Sequence, residues 1–292
     1  MKLSFKVRFL NFFRNVFKIP VLEKSLASLT QGKAYTELVC KLVPNPYQYK
    51  TGSIRIIERD GIRITVDISD FIGHYLYFGF NDDSFNALLS LCKKDSVVLD
   101  IGTNIGWVAL NLAQKANKGR VIGFEPDRFN YSEASKNQAL NKLENLTIFP
   151  IGLGHENKKL NLEIRTPSNR GGNRITPPNS HNENSSQVEI KRLDDFLKDI
   201  SIEHVDLIKI DVEGFELKVL MGASMILKKC KPVLFIELDN NNLRDQGDSA
   251  QALVENLLAM GYQIQNAETK DAISAQSHFE NCHFDIIATY GG

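Results

Sequence analysis

The sequence predicts an α/β fold built on a doubly wound, mainly parallel sheet, with an N-terminal helical arm and a β-hairpin ahead of it. Three observations carry that expectation. From Ser96 onward, short apolar runs alternate with helical patterns, the rhythm of parallel strands joined by helical crossovers. The first run, "VVLDIGTNIGWVAL" (Val97 to Leu110), reads as a strand, a tight glycine turn and a helix start. With 292 residues, 42% of them hydrophobic, the chain is long enough for one α/β domain of about 200 residues plus additions.

The chain opens with "MKLSFKVRFLNFFRNVFKIP", which holds five Lys/Arg, no acids and five phenylalanines. On a helix, Phe5, Phe9, Leu10, Phe12, Phe13, Val16, Phe17 and Ile19 fall on one side; Ser4, Arg8, Asn11, Arg14, Asn15 and Lys18 fall on the other. Two placements suit such a helix. It can lie in the interface of an anionic membrane, as a peripheral contact of residues 1–20 that favours a membrane-held acceptor. It can equally dock on the protein's own core, or on a twin subunit as a homodimer contact. A signal peptide fits less well, because Arg8 and Arg14 interrupt any apolar core and no small-residue cleavage site follows.

Residues 21–50 end in "VPNPYQYK", whose prolines break helix and mark a connector. Next, Ile54, Ile56 and then Ile62, Ile64, Val66 and Ile68 alternate around an Arg-Asp-Gly turn, which predicts a β-hairpin. "FIGHYLYFGFNDDSFNALLSLC" then turns into helix, with Asp82, Asp83 or Ser84 as candidate caps. These breaks divide the chain into 1–50, 51–92 and a main domain at 93–292.

Within the main domain the predicted strands are "SVVLDI", "RVIGFE", "LTIFPIG", "VDLIKID" and "KPVLFIEL", with "GYQIQ" and "HFDIIATY" completing seven. Helices fit at 106–117, 129–142, 193–200, 215–229 and 249–260. Residues 155–191 depart from the rhythm: two alternating β-like runs flank a long Gly/Pro/Asn/Ser segment, a β-rich insertion or loop. Its "RGGNRITPP" stretch offers Arg170 and Arg174 to polar or anionic groups, or forms a lid.

Thirty-five basic and thirty-five acidic residues cancel, so no overall charge draws the chain to nucleic acid or to acidic substrates. Cys40, Cys92, Cys230 and Cys282 lie far apart with no C-x-x-C pair, against a zinc module or a disulfide framework. A reduced, cytoplasmic location is expected, at the inner face of the membrane if the first helix binds lipid. No run of eighteen or more apolar residues reads as a spanning helix.

In doubly wound sheets, ligands sit outside the carboxyl ends of the strands where strand order reverses, and "DIGTNIG" belongs there. A dinucleotide fingerprint wants G-x-G-x-x-G; here the pattern is Asp100, Gly102, Asn104, Gly106. An acid beside the turn repels a pyrophosphate but suits a ligand with a cationic or amino-bearing moiety, as S-adenosylmethionine has. The two glycines permit close backbone approach. Glu125, nineteen residues beyond Gly106 at the end of the next strand, is placed to accept ribose hydroxyls. That spacing also suits NAD, so an NAD-dependent oxidoreductase of Rossmann type is the rival reading, and a non-catalytic binding module on the same fold is another. The bland alternative is that Asp100 caps the turn and Glu125 is solvated.

These residues resemble the FkbM family of S-adenosylmethionine-dependent methyltransferases. The likeness runs from "YLYFG" through "VVLDIGTNIGWVAL", "VIGFEPD", "KRLDDFL" and "VDLIKIDVEGFELKVLMGA" to "PVLFIEL" and "HFDIIAT", and "IKIDVEGFELKVLMGA" is its most specific element. Residues 1–50 lie outside it. The resemblance implies the Rossmann-like seven-stranded methyltransferase sheet with its last strand reversed. It implies O-methylation of a hydroxyl on a sugar, glycan or small metabolite, with Asp100, Gly102, Asn104 and Gly106 matching the first cofactor motif and Glu125 the ribose-binding acid.

"LIKIDVEGFE" puts Lys209, Asp211 and Glu213 at alternate positions, hence on one face of an extended strand. Glu237 and Asp239 come at the end of the adjacent run. Methyl transfer to an alcohol needs the acceptor oxygen held near the methyl group and a place for its proton. Asp211 is the first candidate for base or acceptor orientation and Glu237 the second, with Lys209 and Glu213 completing the catalytic set. Lys209, Asp211 and Glu213 otherwise form an internal ion-pair network under the cofactor. A divalent metal on Asp211, Glu237 and Asp239 is a third reading, although no ligand spacing demands it. His74, His155 and His283 read as structural or exposed.

Overall fold

The computed structural model describes residues 5–164, 166, 169–176 and 184–291, apart from the side chains of Phe5 and Lys6. Ser4 and part of the "RGGNRITPP" stretch and its continuation, residues 177–183, lie outside the described residues. The chain divides into two compact units: Met1–Asp83 with Thr166–Gly171, and Ser84–Arg165 with Gly172–Gly292.

The first unit begins with α1 (Phe5–Arg14), a short 3-10 turn, and α2 (Pro20–Thr30), whose proline sits in the first turn where no N–H is needed. The hairpin follows as β1 (Ile54–Arg59) and β2 (Ile62–Asp67), paired antiparallel around Asp60 and Gly61, both at positive φ. Its buried face is Ile57, Ile62, Ile64 and Val66, while Ile54 and Ile56 are exposed. Helix α3 (Phe71–Phe78) starts on the Asp70 side chain, which accepts from the Ile72 N–H, and ends at Gly79 in the left-handed region. His74 is buried in this unit, its Nε2 2.7 Å from the Pro44 carbonyl, and burial pushes its pKa down to about 4. It is a neutral packing residue.

The second unit takes over within the first turn of α4 (Asp83–Leu91), at Ser84, and enters the main sheet through β3 (Val97–Ile101). Next come α5 (Trp107–Lys115), β4 (Arg120–Phe124), α6 (Arg128–Asn141) and β5 (Leu146–Phe149). A four-stranded side sheet then forms from β6 (Gly152–Leu153), β7 (Lys158–Glu163), β8 (Arg174–Thr176) and β9 (Ser185–Lys191), in the order β6-β9-β7-β8. The chain returns through α7 (Leu193–Asp199), β10 (Leu207–Ile210), α8 (Glu216–Gly222), α9 (Ser224–Cys230) and β11 (Val233–Asp239). It closes with α10 (Asn240–Asp245), α11 (Ala250–Ala259), β12 (Tyr262–Asn266), β13 (Ala272–Ile273) and β14 (His283–Tyr290).

The main sheet runs β13-β12-β14-β11-β10-β3-β4-β5. Its central pairs are parallel, and β14 is antiparallel to both β11 and β12, the reversed last strand that was expected. The seven strands read from sequence are all present. The eighth, β13, is a two-residue edge piece too short to leave a periodic signal. Both faces of β3, β4 and β10 are covered, which is why these strands are nearly continuous apolar runs.

Two elements differ from their sequence reading. "LTIFPIG" is not one strand: at Pro150 the chain leaves the main sheet, and Gly152–Leu153 pairs with β9 in the side sheet. The helix expected at 215–229 is two helices meeting at Ala223, because the Asp194 carboxylate accepts from the Met225 and Ile226 N–H groups (2.8 and 3.0 Å) and opens a new N-terminus there.

Strand order reverses between β3 and β10, the kind of switch point at which doubly wound sheets bind ligands, and the loops after these two strands meet there. Gly102 makes the close approach possible. It has φ +86°, and a Cβ there would fall 1.9 Å from the Asp211 carbonyl oxygen. Gly102→Ala should therefore cost more than about 3 kcal/mol of unfolding free energy, combining backbone strain with overlap. Gly247→Ala, at a similar φ of +81° with open space around it, should cost only about 1 kcal/mol. Urea unfolding of the two variants side by side checks the difference.

Candidate active site

The turn after β3 is held by its own backbone. The Gly102 and Thr103 N–H groups donate to the Phe124 carbonyl of β4 (3.0 and 3.1 Å), and the Gly106 N–H donates to the Thr103 carbonyl (3.0 Å). Gly102, Asn104 and Gly106 all have positive φ. Asn104 thus stands in a left-handed position, which asparagine tolerates better than most side chains. Its N–H donates to Glu125 Oε2 (2.7 Å), and Glu125 Oε1 accepts from the Asp127 N–H (2.8 Å). Glu125 is therefore a buried strut between the turn and the start of α6, each oxygen keeping a lone pair for a further donor. Burial lifts its pKa to about 7.

Beneath the turn lies Lys209 of β10, 5% exposed and in register with Asp100 on β3. Its Nζ donates to the Gly102 carbonyl (2.8 Å) and stands 3.5 Å from Asp100 Oδ1 and 3.3 Å from Asp211 Oδ2. Burial pulls this ammonium down, but Asp211 and Asp100 together hold its pKa above the ordinary lysine value. Asp100 has no exposed surface, and neither of its oxygens has a hydrogen-bond partner among the described residues. Burial pushes its pKa up while Lys209 opposes. The cation that faces Asp100 inside the protein is Lys209.

The loop after β10 is shaped by Glu216 at the head of α8, whose Oε1 accepts from the Val212 and Gly214 N–H groups (3.1 and 3.0 Å). That leaves Glu213 at φ +55°, its Oε2 accepting from Asn242 Nδ2 (2.7 Å). Carboxylate oxygens of Asp211, Glu213 and Glu237 come within 4.8 Å of one another, the one group of potential metal ligands of this kind among the described residues. Asp239, predicted as the third ligand with Asp211 and Glu237, is outside that group. Its Oδ1 caps α10 through the Asn241 and Asn242 N–H groups, and Glu213 stands in its place.

Crowded acids hold protons. Burial, then repulsion from Glu237 and Asp211, lifts Glu213 to about 8. Burial and Asp211 lift Glu237 to about 8 against the hydrogen bond from His283. His283 Nε2 lies 3.2 Å from Glu237 Oε1, and that contact lifts the imidazole to about 9. Glu237 Oε2 is buried with no hydrogen-bond partner. An orphaned acid oxygen, a left-handed turn carrying Asn104 and a strut acid with spare lone pairs fit a ligand that brings a cationic group and hydroxyls.

Residues 100–264, which hold all of these groups except His283, match the family model of the Methyltransferase FkbM domain. The chain belongs to the FkbM methyltransferase family. Among curated relatives, it is 30% identical over 146 residues to Methyltransferase 1 of Beauveria bassiana, covering 44% of this chain and 58% of that one. It is 29% identical over 161 residues to the 2-O-methyltransferase NoeI of Sinorhizobium fredii, covering 49% and 64%. It is 27% identical over 192 residues to the hexuronic acid methyltransferase AglP of Haloferax volcanii, covering 63% and 76%. The chain thus spans less than two thirds of the length of the first two.

In this FkbM chain the tertiary structure brings Asp100, Gly102, Asn104, Gly106 and Glu125 to one edge of the sheet with Lys209, Asp211, Glu213 and Glu237. Sequence reading passed over three contributors. His283 was set aside as structural or exposed, yet a strand that runs backwards starts where its parallel neighbours end, so the first residue of β14 lies at the carboxyl edge beside Glu237. Asn242 and Glu216 act through contacts that only folding creates. Arg174 pairs with Asp245, and the Arg170 N–H donates to Asp70 Oδ2 within the first unit.

Removing the buried cation tests the arrangement. Lys209→Met should cost about 3–5 kcal/mol, because it leaves Asp100 sealed in the core with no counter-charge. The double variant Lys209→Met/Asp100→Asn should recover a substantial part of that loss. Denaturant unfolding of both proteins decides it.

Proposed function

We propose that this FkbM protein is an S-adenosylmethionine-dependent methyltransferase that O-methylates a hydroxyl of a sugar, a glycan or a small hydroxylated metabolite. The observation that carries the reading is the convergence of the Asn104 turn, the Glu125 strut and the Asp211, Glu213 and Glu237 cluster at one strand-order switch. The names of two relatives, a 2-O-methyltransferase and a hexuronic acid methyltransferase, support the hydroxyl and sugar part.

The cofactor supplies a methyl group already activated on a sulfonium. The protein's work is to position and to accept a proton. Gly102 and Gly106 let backbone approach the ligand, and Glu125 offers its free lone pairs to ribose hydroxyls. Lys209 is engaged on three sides by Asp100, Asp211 and the Gly102 carbonyl, so its role is to position the floor and Asp211. Asp211, the more open acid with a side chain 44% exposed, orients the acceptor hydroxyl. Glu237, paired to His283, takes the proton, since a base works best with a pKa near the working pH. Glu213 and Glu237, both lifted to about 8, describe a proton acceptor better than a divalent-metal site.

The sign of the pH dependence follows. A base must be ionised to act, and Glu237 ionises near pH 8, so kcat/KM should rise with pH up to about 8 and then level. Glu237→Gln should lower kcat by about a hundredfold or more and abolish that rise, with cofactor affinity largely kept. Turnover should also survive exhaustive chelation. Loss on chelation that Mg²⁺ restores would reassign the cluster to a metal.

The deciding assay mixes purified protein with methyl-labelled S-adenosylmethionine and a panel of hexuronic acids and neutral sugars, followed by mass spectrometry. Gain of one methyl group on a hydroxyl is the expected result. Calorimetry that detects NAD binding but neither S-adenosylmethionine nor S-adenosylhomocysteine would overturn the reading.

A further inference from the structure

We propose that the N-terminal helical arm docks on an anionic lipid bilayer through an apolar face that is exposed among the described residues. Helix α1 turns its polar side inward. Asn11, 8% exposed, donates through Nδ2 to the Tyr47 hydroxyl (2.9 Å) and accepts at Oδ1 from Asn45 Nδ2 and Arg14 Nη1 (3.0 and 3.1 Å). Its carbonyl accepts from Gln48 Nε2 (3.1 Å). Arg14 Nε donates to the Lys41 carbonyl (2.8 Å), Gln48 Nε2 donates to Asn15 Oδ1 (3.1 Å), and Lys18 donates to the Gln48 carbonyl. A polar stripe at i, i+3, i+4 and i+7 is thus bound to the 41–48 connector.

The opposite stripe has the same spacing and stays largely exposed among the described residues. Phe9, Phe12, Phe13 and Val16 are 56%, 73%, 53% and 51% exposed, and Phe13 meets both Phe9 and Phe12 edge to face. Val21 and Leu38 of the same unit are exposed as well, at 73% and 81%. An amphipathic helix in a water-soluble protein ordinarily buries its apolar side; this one is tied down by the other side.

Charge decides what covers it. Residues 1–50 hold nine Lys/Arg and two Glu in a chain whose charges balance overall. Both acids are engaged: Glu23 is buried against Arg55 (2.7 Å), and Glu37 pairs with Lys33 (3.2 Å). Arg8, Lys24, Lys41 and Lys50 are exposed. Phenylalanines flanked by cations match the acyl boundary and headgroups of an anionic leaflet. A second copy would bring the same positive excess against itself. Among the described residues no helix is long and apolar enough to cross a membrane, so the contact is one of surface.

The test is co-sedimentation of the full chain with phosphatidylcholine vesicles containing about one third phosphatidylserine, and with phosphatidylcholine alone. The protein should partition about tenfold or more in favour of the anionic vesicles and be released by salt. Phe12→Asp/Phe13→Asp should lose about tenfold or more of that binding while unfolding at the same temperature, since both side chains are exposed. Arg8→Glu should weaken it by a smaller factor. Wild-type protein left in the supernatant, or equal binding by the double variant, overturns the proposal. So does a lipid-free dimer in analytical ultracentrifugation that the double variant converts to monomer, which would assign the face to a second copy.

Discussion

One buried ammonium organises the centre of the second unit. Lys209 interrupts a strand covered on both faces, and a charge there is stable only with partners. It finds them on two loops and a neighbouring strand: Asp100 on β3, the Gly102 carbonyl in the glycine turn and Asp211 at the end of β10. Those contacts stitch the two strands at which the order of the sheet reverses. Because Gly102 has no side chain, the turn can press against the Asp211 carbonyl, and the Gly102 carbonyl meets the lysine below. The geometry of the switch point thus follows from satisfying one charge.

A second consequence concerns protons. With Lys209 held closest to Asp100 and Asp211, Glu213 and Glu237 repel each other, and the His283 imidazole offsets part of that repulsion. They respond by holding protons to about pH 8, far above an ordinary carboxylate. In stability terms, a carboxyl whose folded pKa is raised favours the folded state at low pH and loses that contribution as pH rises through the window between its ordinary and raised values. For Glu125 and Glu216 the window closes near pH 7; for Glu213 and Glu237 it extends to about 8. A ligand bearing positive charge would relieve this strain. Residues at left-handed φ, Asn104 and Glu213, sit in the same two loops, so backbone strain and charge strain coincide.

The parallel strands were legible because burial on both faces leaves little choice but Val, Ile and Leu, and the hairpin was legible from its alternation around Asp-Gly. Where the chain changes partners, the pattern was silent. Pro150 redirects a strand into another sheet, and the Asp194 carboxylate starts a helix thirty residues away in sequence. The first helix is the sharpest case. Its amphipathic pattern is plain, yet its polar side faces inward, where Asn45, Tyr47 and Gln48 supply hydrogen-bond partners to Asn11.

By itself, the sequence determined the doubly wound sheet, the order and type of its main strands, the glycine turn and the acid at the end of the second strand, because each rests on short-range periodicity or fixed spacing. Tertiary structure alone decided who faces whom. It buried Asp100 against Lys209, took Asp239 out of the acidic group to cap α10, put Glu213 there instead, and carried His283 to Glu237 by reversing the last strand. Charges act through space over a few ångströms, and residues as far apart in sequence as Asp100 and Lys209 reach that range only once the sheet is assembled.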